Sequence, residues 1–197
     1  MMPTGGDTSL LREFLRAPLL TATVAPSSRW LADQMVVPIP ESGQPTVVEL
    51  GPGTGAFTRG IQERLGGRGH HLAIELNPRL AGPLSRRFPG VEVVHADAAR
   101  LPELLAERGL SADLVVSGLP WVAYQPNGKR PLLPLVAGSL SGHGVFTQFA
   151  YCWTRWAPPA QRYLLDLRRT FEEVVLSRTV WLNLPPALVY FARRPRG

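Results

Sequence analysis

The chain is written in short apolar runs separated by stretches with helical spacing. Val47-Val48, His71–Leu76, Val91–His95 and Ala112–Ser117 are brief runs of the kind that strands buried on both faces show. Between them, Phe57–Leu65 and Leu101–Arg108 carry apolar residues at helical spacing, as helices with one buried face do. Asn77-Pro78 reads as an N-cap and a first helical residue, and Pro83 just beyond predicts a short or kinked helix. Strands and helices in alternation, with short connections, mean a parallel sheet. The last third gives a helix over about Leu132–Leu140, a turn at Gly142–Gly144 and a fifth strand, Val145–Tyr151. An aromatic loop, Trp153–Pro159, and a helical stretch, Gln161–Leu167, follow. Two strands, about Val174–Leu182 and Leu188–Arg193, are joined through Pro185-Pro186 and predict an antiparallel edge.

Ahead of the first strand the rhythm is helical. Ser9–Ala17 sets Leu10, Leu11, Phe14 and Leu15 against Arg12, Glu13 and Arg16, and Pro18 ends it. Thr21–Pro26 reads as an extended link, and Ser27 or Ser28 caps a second helix reaching about Val36. Residues 1–37 are therefore expected to form a helical lid or membrane-contact segment, and residues 38–197 the main domain.

The chemistry gathers where the first strand ends, at Thr46–Phe57. Glu49 closes the strand, and Gly51-Pro-Gly-Thr-Gly55 opens a helix, the plan of a nucleotide-binding crevice in an open α/β sheet. The turn formally fits a dinucleotide fingerprint, but Pro52 has no N–H for a pyrophosphate and Glu49 would repel one. A carboxylate beside the turn suits a ligand that is cationic at that end, as S-adenosylmethionine is. Glu75, twenty residues past Gly55, is placed to accept from ribose hydroxyls.

Composition changes this picture little. The length of 197 residues suits one domain with a small appendage. No apolar run approaches the roughly 20 residues of a membrane span. The first residues lack the apolar core of a signal peptide, so the expected place is the cytoplasm. Cys152 stands alone, which fits a reducing compartment, and the four histidines lack metal-ligand spacing and read as surface or loop residues. The net charge of +6, nearly all arginine, allows an anionic partner, and a GC-rich genome accounts for it equally well.

With these residues placed, the chain resembles the class I S-adenosylmethionine-dependent methyltransferases over nearly its whole length. Among them it is most similar to bacterial phospholipid N-methyltransferases, relatives of the rRNA adenine dimethyltransferases. The matching stretches are Thr23-Val-Ala-Pro-Ser-Ser28, Val48–Gly55, Phe88–Val94, Ser117-Gly-Leu-Pro120, Gly144–Phe149 and Asn183-Leu-Pro-Pro-Ala187. The resemblance implies a Rossmann-like α/β fold: a mostly parallel seven-stranded sheet with an antiparallel edge and helices on both faces. It implies that Glu49, Gly51, Gly53 and Gly55 hold the methionine part of the cofactor and Glu75 the ribose. Asp97 with Ala98 would hold the adenine, Ser117 would join the cofactor site, and no metal is expected. The Val-Ala-Pro-Ser-Ser segment would lie over the cofactor, with the helix before it on the membrane.

One departure bears on substrate. The RNA enzymes have Asn-Leu-Pro-Tyr where this chain has Gly118-Leu-Pro-Trp121. Glycine offers no amide to an adenine, so an alkyl amine is the expected acceptor. The expected activity is methylation of phosphatidylethanolamine and its methylated intermediates towards phosphatidylcholine, releasing S-adenosylhomocysteine. An rRNA adenine or a soluble amine is the alternative. Tyr124 is the first candidate for orienting the amine and Tyr151 the second, with Trp121 and Tyr124 as an aromatic wall for a quaternary product. The expected partners are a phospholipid substrate and an anionic membrane surface, with no nucleic acid. The enzyme would sit peripherally on the inner face of the cell membrane.

Overall fold

The computed structural model describes residues 27–121 and 131–196. The helix expected at Ser9–Ala17, the whole extended link Thr21–Pro26 and Tyr124 lie outside these residues.

Each apolar run becomes a strand: β1 Thr46–Leu50, β2 His70–Glu75, β3 Glu92–His95 and β4 Ala112–Ser117. β5 Leu140–Tyr151, β6 Phe171–Leu176 and β7 Ala187–Pro195 complete one seven-stranded sheet in the order β3-β2-β1-β4-β5-β7-β6. β1 to β5 pair in parallel, and β7 runs antiparallel to both β5 and β6. Chain order reverses between β1 and β4, which is where open sheets of this kind hold ligands.

Residue alternation in the strands decides which helix goes where. Val48, Leu50, Leu72, Ile74, Val115 and Phe146 face one side, with α4 Leu101–Ala106, α5 Leu132–Ser139 and α6 Pro158–Thr170 packed on them. Val47, Leu114, Val116 and Val189 face the other side and meet α1 Arg29–Val36 and α2 Ala56–Leu65. On that side too, Ala73 meets Leu84 of α3 Pro78–Arg87. Pro83 sits within α3 without ending it.

Three expectations are corrected. Gly142–Gly144 is not a turn: β5 starts at Leu140 and absorbs those residues as an irregularity opposite Ala112 and Leu114. A Cβ at Gly144 would meet the Ala112 carbonyl at 2.6 Å, so only glycine lets the strands stay paired there. α6 is longer than its apolar spacing suggested, because Pro158 and Pro159 fill the first turn, where a missing N–H costs nothing. β6 stops at Leu176, where the Ser177 hydroxyl accepts from Val189 N at 2.9 Å and the chain turns away. Trp181 and Leu182 are thereby left on an exposed loop and not in a strand.

Candidate functional site

Leu50, Glu75, His95 and Ser117 end four neighbouring parallel strands, so the residues after them share one edge of the sheet. After β1 the backbone turns through Gly51, Gly53 and Gly55, all at positive φ. Their reasons differ. A Cβ on Gly51 would fall 2.6 Å from the Leu119 side chain, and one on Gly55 within 2.8 Å of Phe88. A Cβ on Gly53 would meet nothing within 4 Å, so this position faces open space. Gly55 caps α2 with no side-chain hydrogen bond.

Beneath the turn lies Glu49, fully buried. Its Oε2 accepts from the Thr58 hydroxyl at 2.7 Å, and its Oε1 has no hydrogen-bond partner. His71 lies beside it: contrary to expectation this histidine is buried, its Nε2 reaching Glu49 Oε2 at 3.3 Å outside hydrogen-bond alignment. Gln62 Nε2 stands 3.0 Å from His71 Nδ1, and donation there leaves the ring proton on Nε2, towards the carboxylate. A buried carboxylate with an orphan oxygen is a receptor for a cation, since burial without a partner is expensive.

Glu75 is also buried, but both its oxygens are engaged. Oε2 accepts from Gly53 N at 3.0 Å and Oε1 from Asn77 N at 2.8 Å. The carboxylate thus holds the glycine turn to the β2 end and keeps lone pairs for a ligand hydroxyl. At the end of β3, Asp97 Oδ1 accepts from Ala99 N at 2.9 Å and caps a short 3₁₀ turn, Ala98–Arg100, with Ala98 buried. These three strand ends therefore bring Glu49, Gly51, Gly53, Gly55, Glu75, Asp97 and Ala98 to one edge.

The β4 end is different. Ser117 is fully buried and its hydroxyl is occupied by its own turn, accepting from Leu119 N at 3.2 Å and Trp121 Nε1 at 2.7 Å. Trp121 is correspondingly no wall for an amine: it is buried, its ring against Phe146 and Tyr163 with centroids 5.5 Å apart. Gly118 presses on the glycine turn so closely that a Cβ would stand 2.6 Å from the Gly51 carbonyl oxygen.

Gln148 was not singled out by sequence reasoning. It pairs in register with Ser117 and is buried, and its Nε2 donates to the carbonyls of Leu119 at 3.2 Å and Phe149 at 2.8 Å. Its Oε1 has no partner. A polar residue in the run Val-Phe-Thr-Gln-Phe was the available signal, since a buried amide needs a reason. Tyr151 closes β5 half-buried, and burial pushes its hydroxyl above the ordinary value of 10.0, so at neutral pH it is a phenol and not a base.

The lid-side elements are tied to the far end of the chain. Ser28 Oγ accepts from Leu31 N at 3.2 Å as the α1 N-cap. Ser28 N donates to Asn183 Oδ1 at 2.9 Å, and Asn183 Nδ2 donates to the Pro185 carbonyl at 2.7 Å. The Thr147 hydroxyl on β5 donates to the Met35 carbonyl at 3.1 Å.

Residues 27–107 match the ribosomal RNA adenine dimethylase family. An ornithine lipid N-methyltransferase of Singulisphaera acidiphila is 36% identical over 187 residues, covering 93% of each chain. Ribosomal RNA small subunit methyltransferase A of a Polaromonas species is 40% identical over 106 residues, 53% of this chain. The chain spans only 29% of that relative's length. Among solved structures, an rRNA methylase of Streptococcus thermophilus superposes with a TM-score of 0.59 at 15% identity, over 88% of this chain and 99% of its own, a likeness of fold alone.

Proposed function

The chain belongs to the class I S-adenosylmethionine-dependent methyltransferases and is an N-methyltransferase, and from that premise we propose that its acceptor is the amine of a membrane lipid head group. The substrate we assign first is phosphatidylethanolamine, with its methylated intermediates, towards phosphatidylcholine. One observation carries this reading: residue 118 has no room for a side chain. The amide that would grip an adenine amino group is absent, and the contact with the Gly51 carbonyl gives no space to restore it. An alkyl amine is basic and nucleophilic once deprotonated, so it needs chiefly to be aimed and kept dry.

The residues present fit the cofactor. The orphan oxygen of Glu49 suits an ammonium, the open side of Gly53 admits a ligand against the backbone, and Glu75 keeps acceptor capacity for a ribose. We assign Glu49, Gly51, Gly53 and Gly55 to the methionine part, Glu75 to the ribose and Asp97 with Ala98 to the adenine. Ser117 contributes by shaping the turn. S-adenosylmethionine, when bound, supplies the electrophilic methyl group. Orientation of the amine falls to this chain: Gln148 Oε1, which has no partner, is assigned to accept a hydrogen bond from the amine, and Tyr124 and Tyr151 are assigned as the phenols that help to aim it. Residues 1–37 serve as lid and membrane contact, holding the enzyme at the inner face of the cell membrane.

A second lipid amine is favoured by the Singulisphaera relative, whose name specifies ornithine lipid. The test is incubation of the full chain with labelled S-adenosylmethionine and, separately, phosphatidylethanolamine vesicles, ornithine lipid vesicles and small-subunit rRNA. Methylated phosphatidylethanolamine is the expected product. Label in rRNA with neither lipid methylated overturns the reading.

A further inference from the structure

The described surface carries several large exposed apolar side chains, and most of them gather at the site's edge of the sheet. Trp153 and Trp156 follow the end of β5, and they are 65% and 70% exposed. Trp181, Leu182 and Leu184 occupy the loop between β6 and β7 and are 76%, 67% and 79% exposed. Hydrogen bonds bring these segments together: Cys152 N donates to the Pro186 carbonyl at 2.9 Å, and Val180 N to the Ala187 carbonyl at 2.7 Å. The Ser28–Asn183 bond adds the start of α1, where Trp30 is 57% exposed. A patch of this kind on a folded surface marks an interaction site.

Within the segments that carry these side chains the charges have one sign. Ser27–Ala32, Tyr151–Leu165 and Ser177–Pro186 contain Arg29, Arg155, Arg162 and Arg178 and no carboxylate. Asp33, one turn along α1, pairs with Arg29 at 3.9 Å. Arg155 lies 4.5 Å over the Trp156 ring, so one cation is already held flat against the apolar surface. Indoles with aliphatic leucines and arginines are what the boundary between acyl chains and anionic head groups accommodates: rings at head-group level, leucines below, guanidinium groups on phosphates. A nucleic acid would use the arginines and indoles but gives Leu182 and Leu184 no partner.

Position completes the argument. β5 continues from Gln148, beside Ser117, to Tyr151 about 10 Å further on, and the patch begins at the next residue. Resting on the proposal of a lipid substrate, we infer that this tryptophan-rich rim is a second bilayer-docking surface, distinct from residues 1–26. It sets the mouth of the site down on an anionic membrane so that a head group reaches Gln148 and Tyr151 without leaving the bilayer.

The test uses the full chain and vesicles of phosphatidylethanolamine with phosphatidylglycerol. Trp153→Ser combined with Trp181→Ser and Leu184→Ser should weaken vesicle partitioning about tenfold or more. S-adenosylmethionine affinity and methylation of a short-chain, monomeric phosphatidylethanolamine should be unchanged. Because the changed residues are exposed, the fold is expected to survive. Should it fail, Arg155→Glu with Arg178→Glu asks the same question through charge. In the unchanged protein, brominated acyl chains should quench tryptophan fluorescence, and the triple variant should lose that quenching. Wild-type partitioning by the variants, or a rim shielded from brominated lipid by residues 1–26 or by a second copy, overturns the inference while leaving a lipid substrate standing. Loss of rRNA methylation in the variants, with no lipid methylated by the unchanged protein, overturns both.

Discussion

Gly53 and Gly55 lie two residues apart at positive φ, and the same substitution should act on different properties at each. Gly53→Ala adds a methyl group to open space, so urea unfolding should show only the backbone cost, about 1 kcal/mol, while calorimetry shows a large loss of cofactor affinity. Gly55→Ala drives a methyl into Phe88 and Leu84 and should cost about 2 to 3 kcal/mol of stability. Equal losses of affinity and stability at both positions would contradict the geometry. Gly118→Asn should damage cofactor binding without yielding rRNA methylation, because the Gly51 carbonyl must retreat before any side chain fits. Gln148→Leu removes the proposed amine acceptor together with the Nε2 donor to the Leu119 and Phe149 carbonyls, so it should lower kcat for the lipid amine about tenfold or more, cost about 1 to 3 kcal/mol of stability and change cofactor affinity less. At this scale the sequence was informative wherever a residue type is rare for its setting. Glycines at a strand end, Glu49 within an apolar run and Glu75 at its offset were all legible. His71 and Gln148 were not, because whether a polar side chain faces the core depends on strand register, and register follows from pairing with distant strands.

Elements were legible where one rhythm ran uninterrupted, as in β1, β2, β4 and α2, and less so where tertiary contacts override it. β5 runs through Gly142–Gly144 because Leu140 and Val145 pair with β4 on either side and carry those residues as an irregularity, and β6 ends early because Ser177 captures the Val189 N–H. The α1 N-terminus is held by Asn183, far away in sequence, so local reading found the cap but not its anchor. Asn183→Ala should cost about 1 to 3 kcal/mol, and hydrogen exchange at Leu31 and Met35 should accelerate more than in β1 or β4. Between β3 and α4, Arg108 hydrogen-bonds Glu92 at 3.0 Å and lowers its pKa from 4.5. A carboxyl lowered in the folded state stabilises fully above the unfolded value and loses that contribution as pH falls through the folded one. Acid titration of stability in the Arg108→Ala variant should therefore lose a component below about pH 4.5, worth about half a kcal/mol or less because the pair is largely exposed.

Across the whole molecule, the sheet order sets the residues proposed for the cofactor after β1, β2 and β3 and those proposed for the amine on β4 and β5, either side of the topological reversal. A parallel sheet was legible from alternation, and so was an antiparallel edge from two closely linked strands at the end. The apolar rim was not, since exposure belongs to the assembled surface and its tryptophans had read as loop and strand. The proposed docking on an anionic surface makes a salt test: partitioning to anionic vesicles should fall as ionic strength rises. The contact between α1 and the end of the chain has a consequence in time. Leu31, Met35 and Val36 pack with Val180, Ala187 and Val189, and Ser28 waits for Asn183. During synthesis α1 leaves the ribosome well ahead of its partners, with Asn183 following Ser28 by 155 residues. Nascent chains arrested before residue 180 should thus remain open to protease near Ser28, and protection there should arrive only when β7 has emerged.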